Sequence, residues 1–175
     1  MSQEAFYGTV STASFTLVGL WLVVVQARPA WRFDPDRRRM AYVVSLHFLL
    51  PGAMSVIALA APDQAVVWRV SFAAAGAIGV AGVAHMVRAM REDHDAPRIV
   101  RWLQLVVLPA YLLVTALAIA PGIVAAAGLV LTPLEVEALV LSLLLFFGVQ
   151  SAWFLLVEPT REERRRHEAE AGPES

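Results

Sequence analysis

Five uncharged, apolar stretches, 8–27, 40–62, 70–87, 102–133 and 138–157, divide the chain, and the segments between them carry almost every charge. A helix needs about 20 mostly apolar residues to cross a bilayer. The first, second and fifth stretches meet that directly. The third meets it once the stems of Arg69 and Arg88 snorkel toward the interfaces. Pro121-Gly122 divides the fourth into a full-length helix over 99–120 and a tail over 123–131 too short to cross alone. That tail lies in the interface, re-enters between helices or extends a tilted helix. The pattern predicts an all-α polytopic membrane protein with five transmembrane helices, over 8–27, 40–61, 67–88, 99–120 and 136–157. These form one domain of residues 1–160, followed by a charged tail at 161–175.

Composition excludes several classes of chemistry. With 58% hydrophobic and 17% charged residues, the chain lies outside the range of soluble domains. It has no cysteine, so no disulfide, thiolate metal site, iron–sulfur cluster or thiol nucleophile is available. All fourteen basic side chains are arginine, which removes a lysine Schiff base and a lysine general base.

The net charge of −1 conceals a segregation that sets orientation. Arg28, Arg32, Arg37, Arg38 and Arg39 lie between spans one and two. Arg88, Arg91, Arg98 and Arg101 lie between spans three and four, and Arg161, Arg164, Arg165 and Arg166 follow span five. Thirteen of fourteen arginines thus fall on one side, and the opposite side has Arg69 with Glu4, Asp63, Glu135 and Glu137. The positive-inside rule then places the N-terminus outside and the C-terminus in the cytoplasm, as an odd number of spans requires, in a multi-pass protein of the cell membrane. Tyr7 and Trp68 fall near the outer boundary, and Trp31, Tyr42, Trp102 and Trp153 near the inner one. Residues 1–7 hold Glu4 and no basic residue, so the first span is expected to be a retained helix rather than a signal peptide. The tail reads as a solvated extension whose arginines meet anionic lipid headgroups. The bilayer is the expected partner, and nucleic acid is not.

Polar groups within spans are costly, so each needs a partner or a role. His47, in span two, and His85, near the inner end of span three, are expected at similar depth. Gln104 in span four and Gln150 in span five complete an inner polar layer. Pro51 removes the donor that would bond the His47 carbonyl, leaving that oxygen beside the imidazole. Three readings apply: hydrogen bonds that hold helices together, a water-lined path or proton site, and axial haem ligation by His47 and His85. Arg69, Glu135 and Glu137 enter from the outer side, as an interhelical ion pair or as an ion-attracting ring.

Span one places Thr9, Thr12 and Thr16 on one face, continued near Gly19, while Ser11 and Ser14 lie on other faces. The threonines bond their own backbone or line the axis of a homo-oligomer. Span three is rich in small residues, and Ala75 with Gly79 and Ala77 with Ala81 have small-xxx-small spacing, which predicts close packing. Spans two and four share a faint repeat, offset by 57 between His47 and Gln104, 58 between Pro51 and Pro109 and 59 between Pro62 and Pro121.

No metalloprotease, serine-hydrolase, phosphate-loop or dinucleotide motif is present, so no catalytic residue is assigned and an enzyme is not expected. Asp93-His94-Asp95 reads as loop rather than as a metal site, and no cofactor is expected unless haem binds the histidines. These features suggest a subunit of a small homo-oligomeric ion channel or transport-type protein with a polar path through the bundle. The alternatives are a non-catalytic accessory or scaffold subunit, and a histidine-based proton-relay or haem-binding redox protein.

Overall fold

The computed structural model describes residues 2–92, 98–128 and 130–157, and the side chains of all of these except 89–92 and 98–104. The tail at 161–175, the Asp93-His94-Asp95 loop and the Gln104 side chain lie outside the described residues. Among the described residues the chain is all-helical. Helix α1 covers Gln3–Gln26, and a 3₁₀ turn follows at Pro29–Arg32. Then come α2 (Pro35–Ala60), α3 (Ala65–Glu92), α4 (Arg98–Ile119), the short α5 (Gly122–Ala126) and α6 (Pro133–Val157).

Three of these helices start several residues before their apolar runs because polar caps carry them outward. The Ser2 hydroxyl accepts from the Ala5 N–H at 3.2 Å and starts α1. The Asp34 carboxylate accepts from the Asp36 and Arg37 N–H groups at 2.9 and 3.1 Å, with Pro35 at the first helical position of α2. Thr132 and Glu135 form a reciprocal capping box at the start of α6: the Thr132 N–H donates to the Glu135 carboxylate at 2.7 Å, and the Glu135 N–H donates to the Thr132 hydroxyl at 3.3 Å. Each cap satisfies donors that a helix start otherwise leaves unbonded.

Four helices, α1, α2, α3 and α6, are long and apolar enough to cross a membrane, and α4 adds a shorter apolar stretch over Leu105–Ile119. The 123–131 segment forms α5, of five residues, and a turn at Gly128, whose φ of 70° is the left-handed conformation that favours glycine.

The helices alternate in direction. Trp21 of α1 meets Ala41 of α2, and Ser14 meets Gly52, so these two run antiparallel. On α6, Leu155 meets Arg37 and Gly148 meets His47 and Phe48, which makes α6 antiparallel to α2 as well. Between α3 and α4 the pairs are Arg69 with Ala118 and Gly76 with Thr115. Helix α2 is the hub, in contact with α1, α3 and α6, while α4 closes the bundle against α3 and α6. Twelve residues of α2 are buried but only four of α1, which puts α1 at the edge of the bundle. Large apolar side chains such as Leu20, Val23, Val70, Ile119, Phe146 and Trp153 face outward, the distribution suited to a hydrocarbon solvent rather than water.

Glycines set the closest approaches. A Cβ on Gly79 would enter the Tyr111 ring, and one on Gly76 would meet the Thr115 hydroxyl and the α4 backbone. The close-packing stripe of α3 is therefore Gly76 with Gly79, alongside buried Ala75. Ala77 and Ala81, expected from their spacing to share it, are exposed, because the two pairs point to different sides of the helix. Gly79→Ala is expected to destabilise the bundle by about 1–3 kcal/mol through overpacking. Gly8→Ala, where nothing lies within 4 Å of the added carbon, should be neutral or stabilising. Thermal unfolding of the two variants in detergent checks the pair.

Candidate functional site

The bundle interior contains an unusual set of polar side chains. Ser14 on α1, His47 and Ser55 on α2 and Glu137 on α6 are fully buried, and Tyr111 on α4 is 1% exposed. Among the described residues the Ser14 and Ser55 hydroxyls, both His47 ring nitrogens, the Tyr111 hydroxyl, both Glu137 carboxylate oxygens and the Ser151 hydroxyl have no hydrogen-bond partner. The Val43 carbonyl, one turn before His47, lies toward the ring without reaching hydrogen-bond geometry.

Helix register spreads these groups along the bundle axis. The His47 ring stacks on the Tyr111 ring, with centroids 5.8 Å apart and planes 25° from parallel. Gly148 makes room there for α2, since a Cβ on it would stand 2.9 Å from the His47 Cβ. Ser55 lies a little over two turns along α2 from His47, roughly 12 Å at 1.5 Å per residue. Glu137 lies three turns along α6 from Gly148, roughly 16 Å away toward the arginine-poor end. Ser14 faces Gly52 between these levels. The polar groups therefore form a series that steps along the axis by roughly 4–8 Å, from His47 and Tyr111 through Ser14 and Ser55 to Glu137, with no hydrogen bond between them among the described residues.

Above Glu137 a cavity of about 370 Å³ opens at the arginine-poor end. Glu4 and Tyr7 of α1, Leu59 and Pro62 at the end of α2, Trp68 of α3 and Leu134 of α6 line it. Tyr7 is 4% exposed, donates its hydroxyl to the Leu134 carbonyl at 3.1 Å and lies within electrostatic reach of Glu137. It stands between the cavity and the buried carboxyl one turn deeper on α6.

Several sequence expectations place differently. Arg69 does not pair with Glu135 or Glu137. Its Nε and Nη2 donate to the Ala118 and Ile119 carbonyls at 2.8 and 2.6 Å, so it satisfies the last carbonyls of α4 and sits at the negative end of that helix dipole. Glu135 is exposed and committed to its cap at Thr132, whereas Glu137, two residues on, turns inward. The inner histidine layer does not assemble either. His47 sits at the middle of α2, because the Asp34 cap starts that helix at Pro35, and His85 is exposed on α3. The structure thus leaves one imidazole buried and the other exposed rather than bringing the two together. Gln150 is half-buried on α6. Thr9, Thr12 and Thr16 are exposed, and each donates to the carbonyl four residues earlier at 2.8–2.9 Å.

Ser55, Tyr111 and Ser151 carry no assignment from the sequence, and Ser14 and Tyr7 stand there only as a residue off the threonine face and an aromatic near the outer boundary. Tyr111 had a signal, as the one hydroxylated aromatic within the fourth apolar stretch. For the serines the signal was weak, because serine is common in membrane helices and only packing tells which one is sealed. Among the described residues no three His, Asp or Glu side chains come together in the manner of a metal site.

Comparison of the chain with protein-family models, with curated proteins and with solved structures gives no match.

Arg69 and Glu137 act independently in this geometry. Arg69→Gln is expected to cost about 1–3 kcal/mol through two lost charge-assisted bonds. In a double-mutant cycle with Glu137→Gln the coupling energy should be near zero, whereas an ion pair would give a clearly favourable coupling.

Proposed function

We propose that the chain is a small transport-type membrane protein that passes protons through the interior of its own helix bundle, with Glu137 as the outer proton site and His47 as the central one. In this reading five helices span the bilayer, α1, α2, α3, α4 and α6. The N-terminus lies outside and the arginine-rich end in the cytoplasm, supported by the placement of thirteen arginines.

One observation carries the reading: Glu137 is fully buried among apolar helices with neither carboxylate oxygen bonded. If its role were to hold helices together, it would make hydrogen bonds across an interface, and it makes none among the described residues. An unpartnered carboxyl costs about 1–3 kcal/mol by protein-mutation measures, and in membrane proteins such costs are retained at ion and proton pathways. His47, Tyr111 and Ser55 supply further groups that hold or pass a proton, and the outer cavity brings water to within one turn of Glu137. The steps of roughly 4–8 Å between successive levels require intervening water, so transfer is gated rather than continuous. The exposed threonine face is not needed for such a path, which lies within one chain.

The test is a proton-flux assay in liposomes with a pH-sensitive dye trapped inside and a potassium diffusion potential as driving force. The native protein should carry flux above empty vesicles, and Glu137→Gln and Glu137→Leu should reduce it to the vesicle background. Glu137→Leu should unfold at a higher temperature than the native protein, because it removes a buried unpaired group. Absence of native flux, or native rates in both variants, overturns the reading.

A further inference from the structure

At the other end of the bundle a second cavity, of about 190 Å³, lies between α1 and α2. Leu22, Val25, Trp31 and Tyr42 give it apolar walls, and Arg32 and Arg38 stand at its margin. Leu22 and Tyr42 are about half exposed, so the groove opens sideways, where acyl chains of the bilayer run.

The arginines of this loop divide into two groups. Arg37 is 7% exposed and donates to the Leu155 carbonyl at 2.6 Å. Arg39 pairs with Asp36 at 3.5 Å. Arg28 lies over the Trp31 ring, 5.9 Å from its centroid. Among the described residues Arg32 and Arg38 have no side-chain partner of this kind, and they are the two that line the groove. Among the described residues no acid competes for them, since Asp34 caps α2 and Asp36 pairs with Arg39. The nearby Ser45 hydroxyl already donates to the Ala41 carbonyl at 2.9 Å.

We propose that this groove binds one anionic glycerophospholipid, with its phosphate on Arg32 and Arg38 and an acyl chain against Leu22, Val25 and Tyr42. Charge complementarity selects the headgroup: two unpaired guanidiniums at a membrane surface attract an anionic lipid, and the guanidinium fork matches a phosphate. The apolar walls select a lipid over a free anion, which has no use for them, while a zwitterionic lipid gains less from two cations. The inference requires membrane embedding but not proton transport.

The experiment is native mass spectrometry of the full chain in mild detergent, after incubation with equal amounts of phosphatidylglycerol and phosphatidylcholine of identical acyl chains. One phosphatidylglycerol per chain should be retained in preference to phosphatidylcholine. The double variant Arg32→Gln with Arg38→Gln should weaken that retention about thirtyfold, the factor for two membrane-surface arginines. Arg88→Gln, which alters an exposed arginine outside the groove, should leave it unchanged. Excess inorganic phosphate should not displace the lipid. Both groove positions are exposed, so circular dichroism of the variants should match the native protein. Equal retention of the two lipids, undiminished retention in the double variant, equal loss in Arg88→Gln or displacement by phosphate each overturns the proposal.

Discussion

Hydrocarbon offers no hydrogen bonds, and the rest of the structure follows from where the chain obtains them instead. Within the long helices the backbone bonds itself. At the helix ends, where four donors or acceptors are left over, the chain supplies a polar group: Ser2 at α1, Asp34 at α2, the Thr132 and Glu135 pair at α6, and Arg69 reaching from α3 to the end of α4. The threonines of α1 turn back on their own carbonyls. Against this accounting, the unbonded side chains of His47, Tyr111 and Glu137 are exceptions, and the exceptions are where function is sought.

Close packing is what seals those exceptions inside. Gly52 lets Ser14 approach α2, Gly148 lets α2 lie against α6 beside His47, and Gly79 receives the Tyr111 ring. Without a hydrophobic force between helices in lipid, such small-residue contacts supply much of the association energy through dispersion. At the arginine-rich end the joint is of another kind. Trp21 donates to the Ala41 carbonyl at 3.1 Å, its ring lies 6.0 Å from that of Trp31, and Arg37 locks onto Leu155. One end of the bundle is thus tied by aromatic and guanidinium contacts, while the other opens into the cavity above Glu137.

The apolar runs were enough to read an all-helical chain built of long apolar helices, because length and hydropathy translate almost directly into helices in a bilayer. The helix starts were legible too. Thr132-Pro133-Leu134-Glu135 and Asp34-Pro35 are capping signatures that place these helix starts outside the apolar runs. What a single sequence leaves open is rotation about each helix axis. Glu135 and Glu137 look alike in the chain, yet one caps a helix in the open and the other is sealed. Arg69 looked like their partner because opposite charges near one interface suggest a pair, but the unbonded carbonyls before Pro121 were the stronger acceptors at hand. His47 and His85 share an expected depth, but depth says nothing about facing. Ser14 lies off the threonine face, and it is Ser14 that faces inward.

The central claim is that Glu137 is sealed from bulk water in the resting bundle and still exchanges protons with it. Infrared difference spectroscopy of the protein in lipid across a pH titration, compared with Glu137→Gln, measures that exchange at the carboxyl itself. The account expects a carboxylic-acid carbonyl band that appears and disappears reversibly with bulk pH in the native protein and is missing from the variant. A native spectrum with no titrating band absent from the variant would contradict it, and would make Glu137 a sealed group that takes no part in proton transfer.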